Sequence, residues 1–281
     1  MRGGANFLDS NSLVAKLAFI ILVIFVFVIV LKVGTAILEY MMSPSQDPVL
    51  LDGMVDGTSQ MIIPVDPNKP NSFPILRSRN QNDGLVFTWS LWLYFKEPQF
   101  NNKFCPNDSC LPDGDTYSHI FNKGSSQPNN IGIMEPNNGP GVYVSNDYRK
   151  LAVVMNTFDQ RKLEDHMVII EDIPIEHWIC LMIRMDQHRL DVFFNGVLSK
   201  SLILKEVPKQ NYEDVNIALN GGFQGNISEL QYFAYALGAN KIQEILNNGP
   251  NLKSLDKGLN NKAADYLSFR WYFPNRAAEM Q

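Results

Sequence analysis

Cysteine is scarce: three residues in 281 cannot staple a disulfide scaffold, so any folded body must be held by an ordinary apolar core. Charged residues are few as well, at 19% with a formal net charge of −5. The chain therefore lacks the basic stripe with which a nucleic-acid binder neutralises phosphate. The four histidines, His119, His166, His177 and His188, stand at no metal-ligand spacing, and their order yields no Ser-His-Asp or Cys-His set. Nor do acids alternate as Glu-x-Asp-x-Glu along any strand-like run. Glycoside hydrolysis needs two carboxyl groups on one face across the scissile bond. Glu171-Asp172 and Glu213-Asp214 are adjacent, which on a strand sends them to opposite faces. Asp113 and Asp115 alternate, but in a Pro/Gly loop that reads as a turn.

What the chain has in excess is one apolar run. Leu17 to Leu31 reads LAFIILVIFVFVIVL, fifteen apolar side chains of which fourteen are Leu, Ile, Val or Phe. Each of those is favourable by roughly 0.3–0.6 kcal/mol near a bilayer centre. Continued to Leu38 the run is twenty-two residues with one charge, Lys32, or about 33 Å of helix, enough to cross a bilayer. Lys16 and Lys32 lie near its ends, where they can snorkel to headgroups. Gly34-Thr35-Ala36 also offers the small residues a signal peptidase requires, so a retained anchor and a cleaved signal are both open. Arg2 and Lys16 precede the run and only Lys32 follows it closely. The positive-inside bias then leaves the N-terminus cytoplasmic and the C-terminal body external or lumenal.

The expected organisation is a short N-terminal tail (1–12), a transmembrane helix (13–38), an extended stalk (39–84) lying partly along the body, and a body (85–281) with a C-terminal strap. The stalk is read from its Pro, Asp-Gly and Asn-Lys-Pro breaks. From Val86 a period of two sets in: Phe87, Trp89, Leu91, Leu93 and Phe95 on one face, Thr88, Ser90, Trp92 and Tyr94 on the other. Strand-like runs follow at 119–123, 141–145, 151–157, 166–170, 178–185, 190–195, 197–204, 215–219 and 226–235. Asn195-Gly196 marks a type I′ hairpin, and Asn146 to Lys150 a longer one. Ile227 and Leu230 are three apart while Leu230, Tyr232 and Ala234 continue at two, which predicts a bulge. One helix is signalled, capped by Asn240 with Gln243, striped by Ile242, Ile245 and Leu246, and stopped by Gly249-Pro250. So many short strands must close into a sandwich or barrel.

In order, FTWSLWLYF, HIFNKG, GVYVSNDYRKLAVVMNT, IPIEHWICLMIRMDQHRLDVFFNGVLSKSLIL and GGFQGNISELQYFAYALGANKIQEILNNGP resemble the concanavalin A-like lectin and laminin-G-like superfamily. The N-terminal anchor, the ILRSRNQNDGLVFTWS stretch and the late YLSFRWYF resemble membrane-anchored members encoded by large DNA viruses. The resemblance implies an all-β, antiparallel jelly-roll sandwich with one short helix, preceded here by the transmembrane helix. It places Trp178 at the start of a central strand, hence in the sandwich core. It also implies sugar or calcium binding by loops or by a concave face. Tyr143, Asn146, Asp147 and Tyr148 around one hairpin tip are then the ligand-binding candidates, and Asp113 with Asp115 the calcium candidates; ordinary turn chemistry explains each of them too. Trp92 and Tyr94 form either an exposed aromatic platform or a surface covered by the stalk or the YLSFRWYF tail.

Cys105 and Cys110 share the loop CPNDSC, where a local disulfide and two free thiols are both open, and Cys180 reads as a core thiol. Of two sequons, Asn107-Asp108-Ser109 lies in a loop and is the glycan acceptor; Asn226-Ile227-Ser228 falls on a strand. The expected protein is a single-pass, non-catalytic recognition module that meets the bilayer through residues 17–38, needs no cofactor unless calcium, and binds a glycan or a protein but no nucleic acid. A structural protein tying a virion membrane to a protein shell is the alternative; a glycoside hydrolase is the remote one.

Overall fold

Two units divide the chain, Met1–Ser43 and Pro44–Gln281. The computed structural model describes residues 13–42, 45–66, 68–69, 72–73, 75–77, 79–81, 84–97, 116–158 and 163–255. The described part of the first unit is one helix, α1 (Leu13–Met42), without a polar face. Between Leu17 and Leu31 its large apolar side chains are exposed on every side, from Ile29 at 45% to Phe25 at 63%. Among the described residues it is the one helix long and apolar enough to cross a membrane.

The second unit is a two-sheet antiparallel sandwich. Its strands in chain order are β1 (Met54–Asp56), β2 (Met61–Ile63), β3 (Arg79–Gln81), β4 (Gly84–Phe95), β5 (Tyr117–Gly124), β6 (Gln127–Pro128), β7 (Met134–Glu135), β8 (Asn138–Ser145) and β9 (Lys150–Val154). There follow β10 (Met167–Glu171), β11 (Trp178–Gln187), β12 (Arg189–Phe194), β13 (Val197–Ile203), β14 (Val215–Ile217), β15 (Gly225–Phe233) and the helix α2 (Ala239–Asn248). The first sheet runs β1-β15-β4-β11-β12-β13 with β3 also on β4; the second runs β10-β9-β8-β5-β14-β2. β6 and β7 form a small ribbon.

The period of two in β4 decides where the core lies. Phe87, Trp89, Leu91, Leu93 and Phe95 face the second sheet and join Phe121, Val142, Leu151, Ile183, Val192 and Ile217 in the interior. Trp89 is fully buried, its ring against Phe121 at 5.4 Å and Tyr232 at 5.0 Å. The bulge in β15 is present: pairing with β4 shifts between Ser228 and Gln231, and Glu229 takes φ 49°. Ile227 and Leu230 thereby both reach the core.

Several expectations change. Trp178 is not in the central core; it is partly buried on the outer face of the first sheet, with Tyr94 at 5.5 Å. Trp92, on that same face, is buried with Cys180, Met182, Phe193 and Phe233 beneath Leu237 and Ile242, so α2 and its approach supply the cover. The YLSFRWYF tail lies outside the described residues. The α2 N-cap is Gly238, whose carbonyl accepts from Lys241 and Ile242, rather than Asn240. Residues 46–63 of the stalk lie along the sandwich as its own edges, β1 beside β15 and β2 beside β14. That segment is drawn in because Leu50, Leu51, Val55 and Ile63 complete the core.

The chain joins the sandwich where Gln46 O accepts from Ala234 N and Pro48 O from Tyr232 N. This near end also holds the start of β4, which pairs with the close of β11 at Asp186 and Gln187. The far end holds Phe95 beside Gly225, Tyr94 beside Trp178, and Tyr117 beside Ser145.

Candidate functional site

The connections at the far end are the Asp56–Gln60 turn, the Asn146–Arg149 tip, the 172–177 loop, the Asn195–Gly196 turn and the 218–224 loop. Six of the eight non-glycine residues with positive φ among the described residues sit there: Tyr148, Asp172, Glu176, Asn195, Ala218 and Asn220. Left-handed backbone costs an L-residue about 1 kcal/mol or more, and such positions persist only where surrounding contacts hold them. Those contacts are visible. Tyr148 Oη accepts from Gln224 N at 2.8 Å, its ring lying 5.9 Å from Phe95. Phe95 O accepts from Glu176 N at 2.7 Å, and Gly57 O from Phe223 N at 3.0 Å. Gly222 (φ 56°) is required by space as well as conformation, since a Cβ there would stand 2.0 Å from Gly57 O.

The four ligand candidates separate into two kinds. Asn146 is exposed at the hairpin tip, its Oδ1 accepting from Ser118 Oγ at 3.0 Å and its Nδ2 donating to Thr116 Oγ1 at 2.6 Å. Asp147 beside it organises the turn, accepting from Ser145 Oγ at 2.5 Å and Arg149 N at 3.1 Å. Partial burial acts to raise its carboxyl; those bonds and the charges of Arg149 and Lys150 outweigh it and hold the group below the usual carboxylate range. Tyr148 is instead a buried brace, and Tyr143 is fully buried. The structure thus brings Asn146 and Asp147 together at the surface and withdraws both tyrosines. Asp113, Asp115, Cys105, Cys110 and Asn107 lie outside the described residues. Among the described residues no group of three or more His, Cys, Asp or Glu is placed to hold a metal ion. Ser228 of the second sequon is buried, donating to Asn251 O at 2.7 Å.

Tyr143 belongs to a polar network that the amino-acid pattern did not single out. Its Oη donates to Asn138 Oδ1 and accepts from Met134 N at 3.2 Å. Asn122 accepts from Asn216 Nδ2 at 3.2 Å and donates to Ser125 O at 2.9 Å; Asn138 N donates to Asn156 Oδ1 at 2.6 Å. His119 completes the set. Leu219 N donates to its Nδ1 at 3.0 Å, which leaves Nε2 protonated toward Asn122 Oδ1 at 3.0 Å. Burial holds the imidazole neutral, its pKa down at about 4. Loop residues Ile131, Ile133 and Met134 pack over this face with Tyr143, Ala152, Val154 and Leu219. The outer face of the second sheet is therefore covered here by the chain's own loop. The readable signal was asparagine inside apolar strand runs, as in HIFNKG and DVNIAL.

No protein-family model matches the chain, and no curated protein does. Solved structures similar to it include the receptor binding domain of botulinum neurotoxin D, at 14% identity and TM-score 0.43 over 72% of this chain and 47% of that one. The botulinum neurotoxin type G receptor binding domain is similar at 13% identity and TM-score 0.42, over 69% and 46%. The chain spans less than half the length of either. Nothing about its ligand follows from likenesses of this size.

Proposed function

We propose that this is a single-pass membrane protein whose sandwich, of the concanavalin A-like superfamily, is a non-catalytic module that recognises a glycan. The observation that carries the reading is the far end. Five connections converge there with six positive-φ positions, of which Tyr148, Glu176, Asn195 and Ala218 are braced by hydrogen bonds, and such clusters mark sites that must present side chains in fixed directions. The surface of α1 from Leu17 to Leu31, apolar on every side, supports anchoring through residues 17–38. A glycan array probed with the full chain in nanodiscs, with and without calcium, tests the reading. Binding confined to a related set of glycans is expected; a signal no higher than empty nanodiscs on every glycan would overturn it.

The non-catalytic part has its own test. Glu229 is the acid to watch: burial, with the Asp52 charge beside it, raises its carboxyl. Over days the protein should leave β-glucan, laminarin and chitin oligomers uncut. Turnover that disappears in Glu229→Gln would replace the binding reading by an enzymatic one.

One feature favours a structural tie to a neighbouring protein as the second reading. β13 pairs only with β12 among the described residues, and on it Val197 (70%), Leu198 (48%) and Ile203 (75%) are exposed. Unpaired apolar edges recruit strands. Sedimentation of nanodisc-free protein in detergent as a defined oligomer, dissociated by Val197→Lys with Ile203→Lys, would favour that reading; a monomer disfavours it.

A further inference from the structure

Among the described residues, the cover of the outer face of the first sheet stops one row of side chains short of its far end. The last covered row is Met54, Ser228, Trp92 and Cys180, neighbours in register across β1, β15, β4 and β11. Ser228, Trp92 and Cys180 are buried. Ile242 of α2 packs on Trp92 and Cys180 as part of one cluster, and the chain after α2 closes the rest, Asn251 O bonding Ser228 Oγ and Ser254 bridging to Met54. The next row is Asp56, Asn226, Tyr94 and Trp178, again four partners in register on the same face. None of these four is buried: Asp56 is exposed, and Asn226, Tyr94 and Trp178 are partly exposed.

We propose that this row is a carbohydrate subsite, with Trp178 and Tyr94 as the stacking platform and Asn226 and Asp56 as hydroxyl partners. The inference rests on the recognition reading and gives it a location and a chemistry. A pyranose is amphipathic, with C–H groups on its face and hydroxyls around its edge, so its receptor must offer aromatic surface and polar acceptors side by side. The row offers both in one line. Two rings with centroids 5.5 Å apart and 49° between planes make a bent platform, followed by an amide and then a carboxylate. At roughly 4.8 Å between strands the line is about 14 Å long, room for two to three sugar units. Strand backbone holds all four positions, so little order has to be acquired on binding.

The surroundings favour a sugar over a protein partner. A protein hot spot sits in an apolar, fully desolvated centre. Around this row most exposed neighbours are polar, Ile175 being the apolar exception: Glu176 and His177 just before Trp178, Gln224 just before the Gly225–Asn226 step, and Thr58 donating from N to Asp56 Oδ1 at 2.9 Å. Glu176 (φ 61°) and Asn195 (φ 48°) are among the strained positions, and Asn195 Oδ1 accepts from Cys180 N at 2.8 Å, two residues from Trp178. The loops that flank the platform are thus held in place as well.

The test uses the full chain in nanodiscs and the strongest glycan from the array. Hydroxyl-radical footprinting with mass spectrometry of the unaltered protein should show Trp178 and Tyr94 protected when that glycan is bound, with Trp89 unreactive throughout. Trp178→Ala should weaken affinity about tenfold or more, Trp178→Phe by much less, and Asn226→Ala by several-fold. Protection confined to the Asn146–Arg149 tip, or full affinity in a folded Trp178→Ala protein, would overturn the subsite and leave the recognition reading standing. Absence of any array binding by the parent chain would overturn both. Should Trp178→Ala not fold, the footprint and Asn226→Ala decide by themselves.

Discussion

Trp89 and Trp178 show how position on a strand decides what a side chain is worth. Trp89 is fully buried between the sheets, whereas Trp178 stands at a sheet end on the outer face. Trp89→Ala should cost about 3–5 kcal/mol in a denaturant titration, near the whole stability of many domains. Trp178→Ala should cost less than about half of that, because a partly exposed ring leaves no closed cavity. Equal losses would contradict this assignment. His119 makes a second prediction. Its folded pKa of about 4 lies below the unfolded value near 6.5, so folding favours the neutral ring. The stabilisation is complete above about pH 6.5 and is lost as pH falls toward 4, amounting to about 3 kcal/mol. Urea midpoints of the parent protein should drop over that window, and His119→Gln should flatten the drop. An identical pH profile in the variant would show that His119 is not the group responsible.

At the scale of elements, the segment between α1 and β4 matters most. β1 and β2 form one edge of each sheet, and Leu50, Leu51, Val55 and Ile63 belong to the core. A protein beginning at residue 84 should therefore expose the β15 and β14 edges and aggregate, while one beginning at residue 45 should give a sharp size-exclusion peak and a cooperative melt. A well-behaved fragment from residue 84 would contradict the place given to β1 and β2. The pattern made much of this fold legible. The period of two in β4, the Asn195-Gly196 turn and the three-residue step from Ile227 to Leu230 each follow from one local rule, and each appears in the structure. The edges were not legible because β1 and β2 are three residues each, too short for a period to show among Pro and Gly breaks. Trp178 was misplaced for a different reason: the resemblance put it in the core, and its strand, WICLMIRMDQ, is apolar on both faces, so the pattern does not say which face has a second sheet over it and which has a helix. Of the candidate site, Asn146 and Asp147 could be read from turn chemistry. Tyr143 could not, because its burial depends on a loop, residues 131–134, that packs over it from elsewhere in the chain.

The whole molecule joins a helix that has no polar face to a sandwich whose strained connections gather at one end. Arginine at Val23 and Phe27 should each cost roughly 2.5–3.5 kcal/mol at a bilayer centre and release the chain from carbonate-washed membranes. Display of the sandwich across a bilayer is the central claim, and protease protection of the full chain, synthesised with sealed microsomes, tests it most directly. The expected product is membrane-bound, and everything from residue 45 onward survives external protease and is digested once detergent opens the vesicles. A sandwich digested from outside intact vesicles, or a soluble product starting at Ile37, would contradict it.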